Sequence, residues 1–452
     1  MSKPDSVAAK NSKAGDSGAN SGFARILANT GWLLGGKGVG AILSIVYLAI
    51  ATRTLGVADF GRFALVLSAA QAIKTLVSFE SWQIIIRYGQ EHLKAADAAE
   101  GGHALNRLAR FCILVDLVSA IVGCALAAAL TLIFGPMMDL SRDMAIDAIL
   151  FCAVMLLTIR STPMGILRLF DRFDAGALAE TMVPIGRMIG ALAVLAAGPS
   201  IAGFLLAWAG AELLCAISYW WLALRAGKGR MGSWRAGHTL DARTENPGLV
   251  GFLTATNLQV TLSSMGQQVA VLFIGIFVGP TGAGLYRLAN QLSASLTKIS
   301  GLLSRSIFVE LARTHSHEGT AELRTLFRRT NRLALIAGAV IILLILAVGH
   351  PLLGLIAGKD FLPAYPLLLV LGVAASIDLV GVSYRPLLMA TDGARLSLRI
   401  TFVATLLMFV LLAVLLPLYD TIGAAFANLA SSIVAFFMMG WASRRMMRGG
   451  TS

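Results

Sequence analysis

Apolar residues run along most of this chain in blocks of about twenty positions, each closed by a charge, a glycine or a proline. The blocks lack the period-two alternation of a lipid-facing β-strand. Leu335 to Val348 and Leu406 to Leu416 pass without one polar side chain. Backbone groups in hydrocarbon must pair within helices or a closed barrel, and blocks of this length predict helices. One span per block gives twelve: 27–51, 60–80, 108–134, 145–163, 176–196 and 200–223, then 250–278, 282–304, 333–356, 362–384, 396–417 and 421–442. The expected fold class is an all-α polytopic membrane protein.

Composition supports this reading, since 57% of the 452 residues are hydrophobic and only 13% charged, whereas soluble domains carry about 25% charged residues. The net charge of +13 would suggest nucleic acid in a soluble protein. Here its position explains it. Sorted onto alternating sides of the twelve spans, 28 of the 37 Lys and Arg residues fall on one side, with both termini. Arg53, Arg62, Arg142 and Lys359 fall on the other. Retained positive charge marks the cytoplasmic face, so both termini are expected there and no nucleic-acid partner is implied. Five cations remain inside spans: Lys37, Lys74, Arg187, Arg287 and Lys298.

The four cysteines lie inside apolar runs, where a thiol acts as a small hydrophobe; neither disulfide nor metal site is expected. Residues 1–22 are rich in Ser, Ala, Gly and Lys and read as a disordered tail. The chain then divides into a six-span lobe at 23–224, a basic linker at 225–249, a second six-span lobe at 250–445 and a short tail at 446–452. The linker is expected either to lie along anionic headgroups or to reflect simple retention of positive charge.

The two lobes carry traces of a duplication. Leu55 to Leu65 aligns with Val278 to Leu288 at an offset of 223, pairing Gly56 with Gly279, Gly61 with Gly284, Phe63 with Tyr286 and Leu65 with Leu288. At an offset of 220, Gly203 meets Gly423, Ala207 meets Ala427, Trp221 meets Trp441 and Arg225 meets Arg445. Six spans per repeat is an even number, so the repeat axis is expected along the membrane normal. The hairpin from Thr52 to Ala64, with its partner Gly279 to Asn290, resembles the corresponding turns of the Wzx-type polysaccharide-unit flippases of the multidrug/oligosaccharidyl-lipid/polysaccharide (MOP) superfamily. That resemblance implies two MATE-like six-helix lobes around a central cavity in the bacterial inner membrane. It also implies movement of undecaprenyl-pyrophosphate-linked oligosaccharide between leaflets, with a polysaccharide polymerase and chain-length machinery as partners. Unlike the related lipid II flippases, this chain lacks two further spans.

A charge deep in a bilayer usually faces a bundle interior or a wet cavity. Lys37, Lys74, Arg187, Arg287 and Lys298 are therefore the candidate anion-binding residues, with Lys37 and Arg187 near mid-depth. They can also be neutralised by the acids Glu80, Asp116, Glu180, Glu212 and Asp378, with Glu180 and Arg187 two turns apart and Glu80 six residues beyond Lys74. Asp116 and Glu212 are candidates for carrying a coupling proton or sodium ion; no other cofactor is expected. In span seven, Asn257, Gln259, Gln267 and Gln268 suit sugar hydroxyls or interhelix hydrogen bonds. Gly31, Gly35, Gly36, Gly38 and Gly40 give span one close packing or bendability, and Pro184 is expected to kink span five. A MATE-type cation antiporter would want an acidic or apolar cavity. A membrane-embedded glycosyltransferase or ligase would want catalytic side chains on a sizeable loop. No such motif is present in the sequence, so no enzyme activity is expected.

Overall fold

The computed structural model describes residues 8–94, 98–233, 237–295, 320–381, 384, 388 and 394–449, with side chains described from residue 38 onward except at 98, 255, 259, 263, 320–330, 394–395 and 446–449. Among the described residues the fold is helical throughout. In chain order the helices are α1 (Ala8–Val77), α2 (Ser81–Leu93), α3 (Ala98–Phe134), α4 (Arg142–Leu157), α5 (Ser161–Leu169), α6 (Phe173–Ala197), α7 (Ile201–Gly227) and α8 (Asp241–Glu245). Helices α9 (Leu249–Phe277), α10 (280–295), α11 (Thr320–Ala357), α12 (Tyr365–Val380) and α13 (Ala394–Gly449) follow.

The expected spans map onto these helices. α1 holds spans one and two, reversing at Gly56, whose φ of 73° is open to glycine and strained for other residues. α13 holds spans eleven and twelve and reverses at Tyr419 and Asp420. Among the described residues nine stretches are long and apolar enough to cross a membrane once the bent α9 is counted as one. Two of them are these hairpins, and α10 covers the described part of the expected span eight. Ser141 and Ser200 cap the starts of α4 and α7 by accepting hydrogen bonds from the amides of Met144 and Gly203.

Three expectations change. Span four is not one rod: it breaks at 158–160 into α4 and α5, because Pro163 in the first turn of α5 cannot continue an upstream helix. Pro184 lies inside a continuous α6; its ring sits 3.3 Å from where a Cβ on Gly40 would be, so Gly40 is small to admit it. Residues 8–22, expected as a disordered tail, are helical in α1.

The repeat is visible as a contact. A Cβ on Gly61 would lie 1.8 Å from the carbonyl oxygen of Pro280, and one on Gly284 would lie 2.8 Å from that of Val57 and 3.0 Å from the Cα of Gly61. Val57 and Pro280 are themselves equivalent at the offset of 223. The two repeat-related segments therefore cross backbone to backbone, each glycine facing the other repeat, as a two-fold relation requires. The φ of 98° at Gly279 matches that at Gly56 in sign. Nearby, Arg53 donates to the carbonyls of Leu355 and Ile356, capping the end of α11 across the lobes, and Phe60 meets Phe361 edge-on at 5.7 Å.

At the opposite, basic end the linker is built in. The amide of Gly232 donates to Gly102 O at 2.8 Å, Asn106 donates to Gly232 O at 2.6 Å, and Arg107 pairs with Glu245 at 2.7 Å. The described part of the linker is thus docked on α3. This end also carries stacked arginines: Arg87 over Phe252, Arg168 over Trp82, Arg225 over Trp221, Arg230 over Phe170 and Arg445 over Trp441.

Candidate functional site

The polar residues inside the membrane gather into one seam. Near the basic end Lys74 donates to the carbonyl of Met155 at 2.8 Å, close enough to Arg160 and Glu212 to interact with both. Glu212, 4% exposed, is bridged: Arg187 donates to Oε1 at 2.7 Å and Arg160 stands 2.9 Å from Oε2. One buried carboxylate therefore serves two guanidiniums. Arg160 reaches it from the break between α4 and α5, and the opened turn puts its side chain inward.

Arg187 also lies 3.3 Å from the centre of the Trp208 ring. Both residues line a cavity of about 60 Å³ with Ser44, Tyr47, Phe63 and Arg287. Arg287 is half-buried and comes from α10 in the second lobe. It donates to Gln268 at 3.0 Å within its own lobe, and to Gln71 at 3.2 Å and Ser68 at 3.5 Å across the lobe boundary. Among the described residues no carboxylate pairs with it. Three further polar atoms in the cavity wall, the hydroxyl of Tyr47, Nε1 of Trp208 and Nε of Arg187, are buried without a hydrogen-bond partner among the described residues. Two of them can only donate. The cavity thus offers two guanidiniums and spare donors, and among the described residues no acid lines it.

The site residues expected from sequence divide accordingly. Arg187 and Arg287 share the cavity, and Lys74 lies beside it toward the basic end. The side chain of Lys37 and all of Lys298 fall outside the described residues, as does the side chain of Gln259. Arg187 pairs with Glu212 and not with Glu180, which instead accepts from the hydroxyl of Tyr219 at 3.2 Å. Glu80 accepts from the Trp82 indole, leaving Lys74 to Met155. Asn257 donates to Ser78 O at 2.6 Å across the lobes and Gln268 accepts from Arg287, so both serve helix-to-helix bonds; Gln267 is exposed. Asp116, 8% exposed, accepts from Ser81 at 2.5 Å and from Thr162 at 2.8 Å.

Sequence reasoning missed Arg160, Tyr47, Trp208, Ser68 and Gln71. Arg160 had a signal, since it lies inside the expected fourth span and was nonetheless sorted to the basic face. Tyr47 and Trp208 had none beyond their depth in apolar blocks.

Residues 26–308, well over half the chain, match the sequence profile of the family described as polysaccharide biosynthesis protein. The chain belongs to that family. A protein of similar sequence is the inner membrane protein YghQ of Escherichia coli K12, 28% identical over 352 residues that span 77% of this chain and 97% of that protein. Among solved structures, the lipid II flippase MurJ in an inward closed conformation superposes with a TM-score of 0.69 at 13% identity, covering 91% of this chain and 87% of that one. An inward-facing multidrug resistance MATE transporter of the MOP superfamily gives 0.66 at 13% identity, covering 91% and 96%. A MOP superfamily transporter from Pyrococcus furiosus, described as having a binding pocket of reverse polarity, gives 0.57 at 14% identity, covering 92% and 94%. The member of the polysaccharide biosynthesis family described here thus shares the fold of these MOP superfamily transporters.

Proposed function

We propose that this transporter moves a polyprenyl-pyrophosphate-linked oligosaccharide from the inner to the outer leaflet of the bacterial inner membrane, gripping its anionic head in the cavity between the lobes. The observation that carries this reading is Arg287, a half-buried guanidinium in the cavity wall, facing Arg187, with only neutral acceptors around it. An inward-facing charge without a counter-ion is costly, and an anionic ligand removes that cost. Arg187 is held in position by Glu212 while its Nε stays free, and both guanidiniums suit bidentate contact with phosphate. Lys74 and Arg160 place further positive charge toward the basic end, taken as cytoplasmic by the sorting of Lys and Arg, where the head would enter. The polyprenyl tail would stay in lipid between the lobes while they rock.

A cation antiporter is disfavoured by the same wall, which among the described residues offers no carboxylate. Coupling to a proton or sodium ion is assigned to Asp116 rather than Glu212, because Glu212 is committed to two arginines whereas Asp116 accepts from the hydroxyls of Ser81 and Thr162 and pairs with no basic side chain among the described residues. If Asp116 carries the ion, collapsing the corresponding gradient in vesicles stops transport; unchanged transport removes this role. The reading as a whole is tested in cells carrying Arg287→Gln. Surface polysaccharide is expected to fall at least about tenfold, the factor for roughly 1.4 kcal/mol, while lipid-linked precursor accumulates and the membrane level of the protein holds. Normal polysaccharide in that strain would overturn it.

A further inference from the structure

The offset of 220 pairs Trp221 with Trp441 and Arg225 with Arg445, and the structure gives both pairs the same form. Arg225 lies 4.0 Å from the centre of the Trp221 ring and Arg445 lies 5.5 Å from that of Trp441, each reached over one helical turn. Both indoles face outward, 53% and 61% exposed, where the other stacked arginines of this end lie on less exposed rings. Among the described residues neither Arg225 nor Arg445 pairs with a carboxylate. They stand near the ends of spans six and twelve, on the face that collects most of the positive charge.

We propose that each pair is a binding site for the headgroup of one anionic glycerophospholipid, so that the molecule holds two such lipids related by its internal two-fold axis. The indole at the membrane interface fixes the depth of the site. Stacking on the ring leaves the guanidinium N–H edge free, and a planar fork matches two phosphate oxygens. The net negative headgroup adds attraction that a zwitterionic one lacks. This site needs no assumption about the transported molecule, so its test and that of the transport reading fail separately.

Full-length protein in mild detergent, with phosphatidylglycerol or phosphatidylcholine added, is examined by native mass spectrometry. The wild type is expected to retain two phosphatidylglycerol molecules under conditions that strip phosphatidylcholine. Arg225→Gln and Arg445→Gln should each retain one. The double variant should retain none, with affinity reduced about tenfold or more per site from loss of a charge-assisted pair. Arg225→Lys with Arg445→Lys, which keeps charge and loses the planar fork, should fall between. Circular dichroism checks that all variants remain folded. Two lipids on the double glutamine variant, or equal retention of phosphatidylcholine by the wild type, would overturn the proposal.

Discussion

Residue by residue, the seam is governed by how few acids it contains. Glu212 compensates Arg187 and Arg160 at once, and removing one partner of a buried ion pair typically costs about 3–5 kcal/mol. Glu212→Gln is therefore expected to lower thermal stability in detergent clearly, because it leaves two inward guanidiniums facing each other. Glu180→Gln, which keeps an acceptor for Tyr219 and removes only an exposed charge, should shift it little. Equal stability losses in the two variants would show that Glu212 does not hold the seam. The sequence exposed the cations and acids but not their pairing. Glu180 and Arg187 share a helix at seven residues' spacing, yet the carboxylate that reaches Arg187 comes from the neighbouring helix α7. Such choices depend on interhelix register, which single-chain spacing does not encode.

At the scale of elements, the breaks matter more than the helices. The α4–α5 break turns Arg160 inward and brings Thr162 to Asp116, while the break after α1 brings in Ser81. One carboxylate on α3 thus ties two short helices, α2 and α5. Asp116→Ala should loosen both, raising amide hydrogen exchange across Ser81–Leu93 and Ser161–Leu169 while leaving α6 unchanged; protection equal to wild type in α2 and α5 would contradict this role. The glycine crossing is the other critical element. No room exists for a methyl group at Gly61, since its Cβ would overlap the Pro280 carbonyl. Gly61→Ala is expected to drive the crossing apart, increasing labelling of a cysteine introduced at Val57, with the native cysteines replaced, by a membrane-impermeant reagent. Unchanged labelling would mean that the crossing does not seal that end. Gly56, open around its Cβ, is constrained by its positive φ and not by contact.

For the whole molecule, much of the architecture was legible. Twelve apolar blocks, the sorting of Lys and Arg and a half-length repeat led to the family fold, because lipid imposes simple rules on backbone and charge. The cavity was legible only in part: Arg187 and Arg287 were visible as charges out of place, but their meeting across the lobes required the fold. Tyr47 and Trp208 look like ordinary lipid-compatible aromatics until their unpartnered polar atoms are seen beside two guanidiniums. Arg160, sorted to the basic face, was hidden by the assumption of an unbroken fourth span.

The central claim is that this cavity is built for an anion, and the most direct measurement is binding of inorganic pyrophosphate to the purified protein, read by quenching of tryptophan fluorescence with Trp208→Phe as the control for signal origin. Saturable quenching is expected in the wild type, weakened about tenfold or more in Arg287→Gln by loss of a charge-assisted contact. It should be largely preserved in Arg53→Gln, which removes a cation outside the cavity. Equal affinity in wild type and Arg287→Gln would contradict the account.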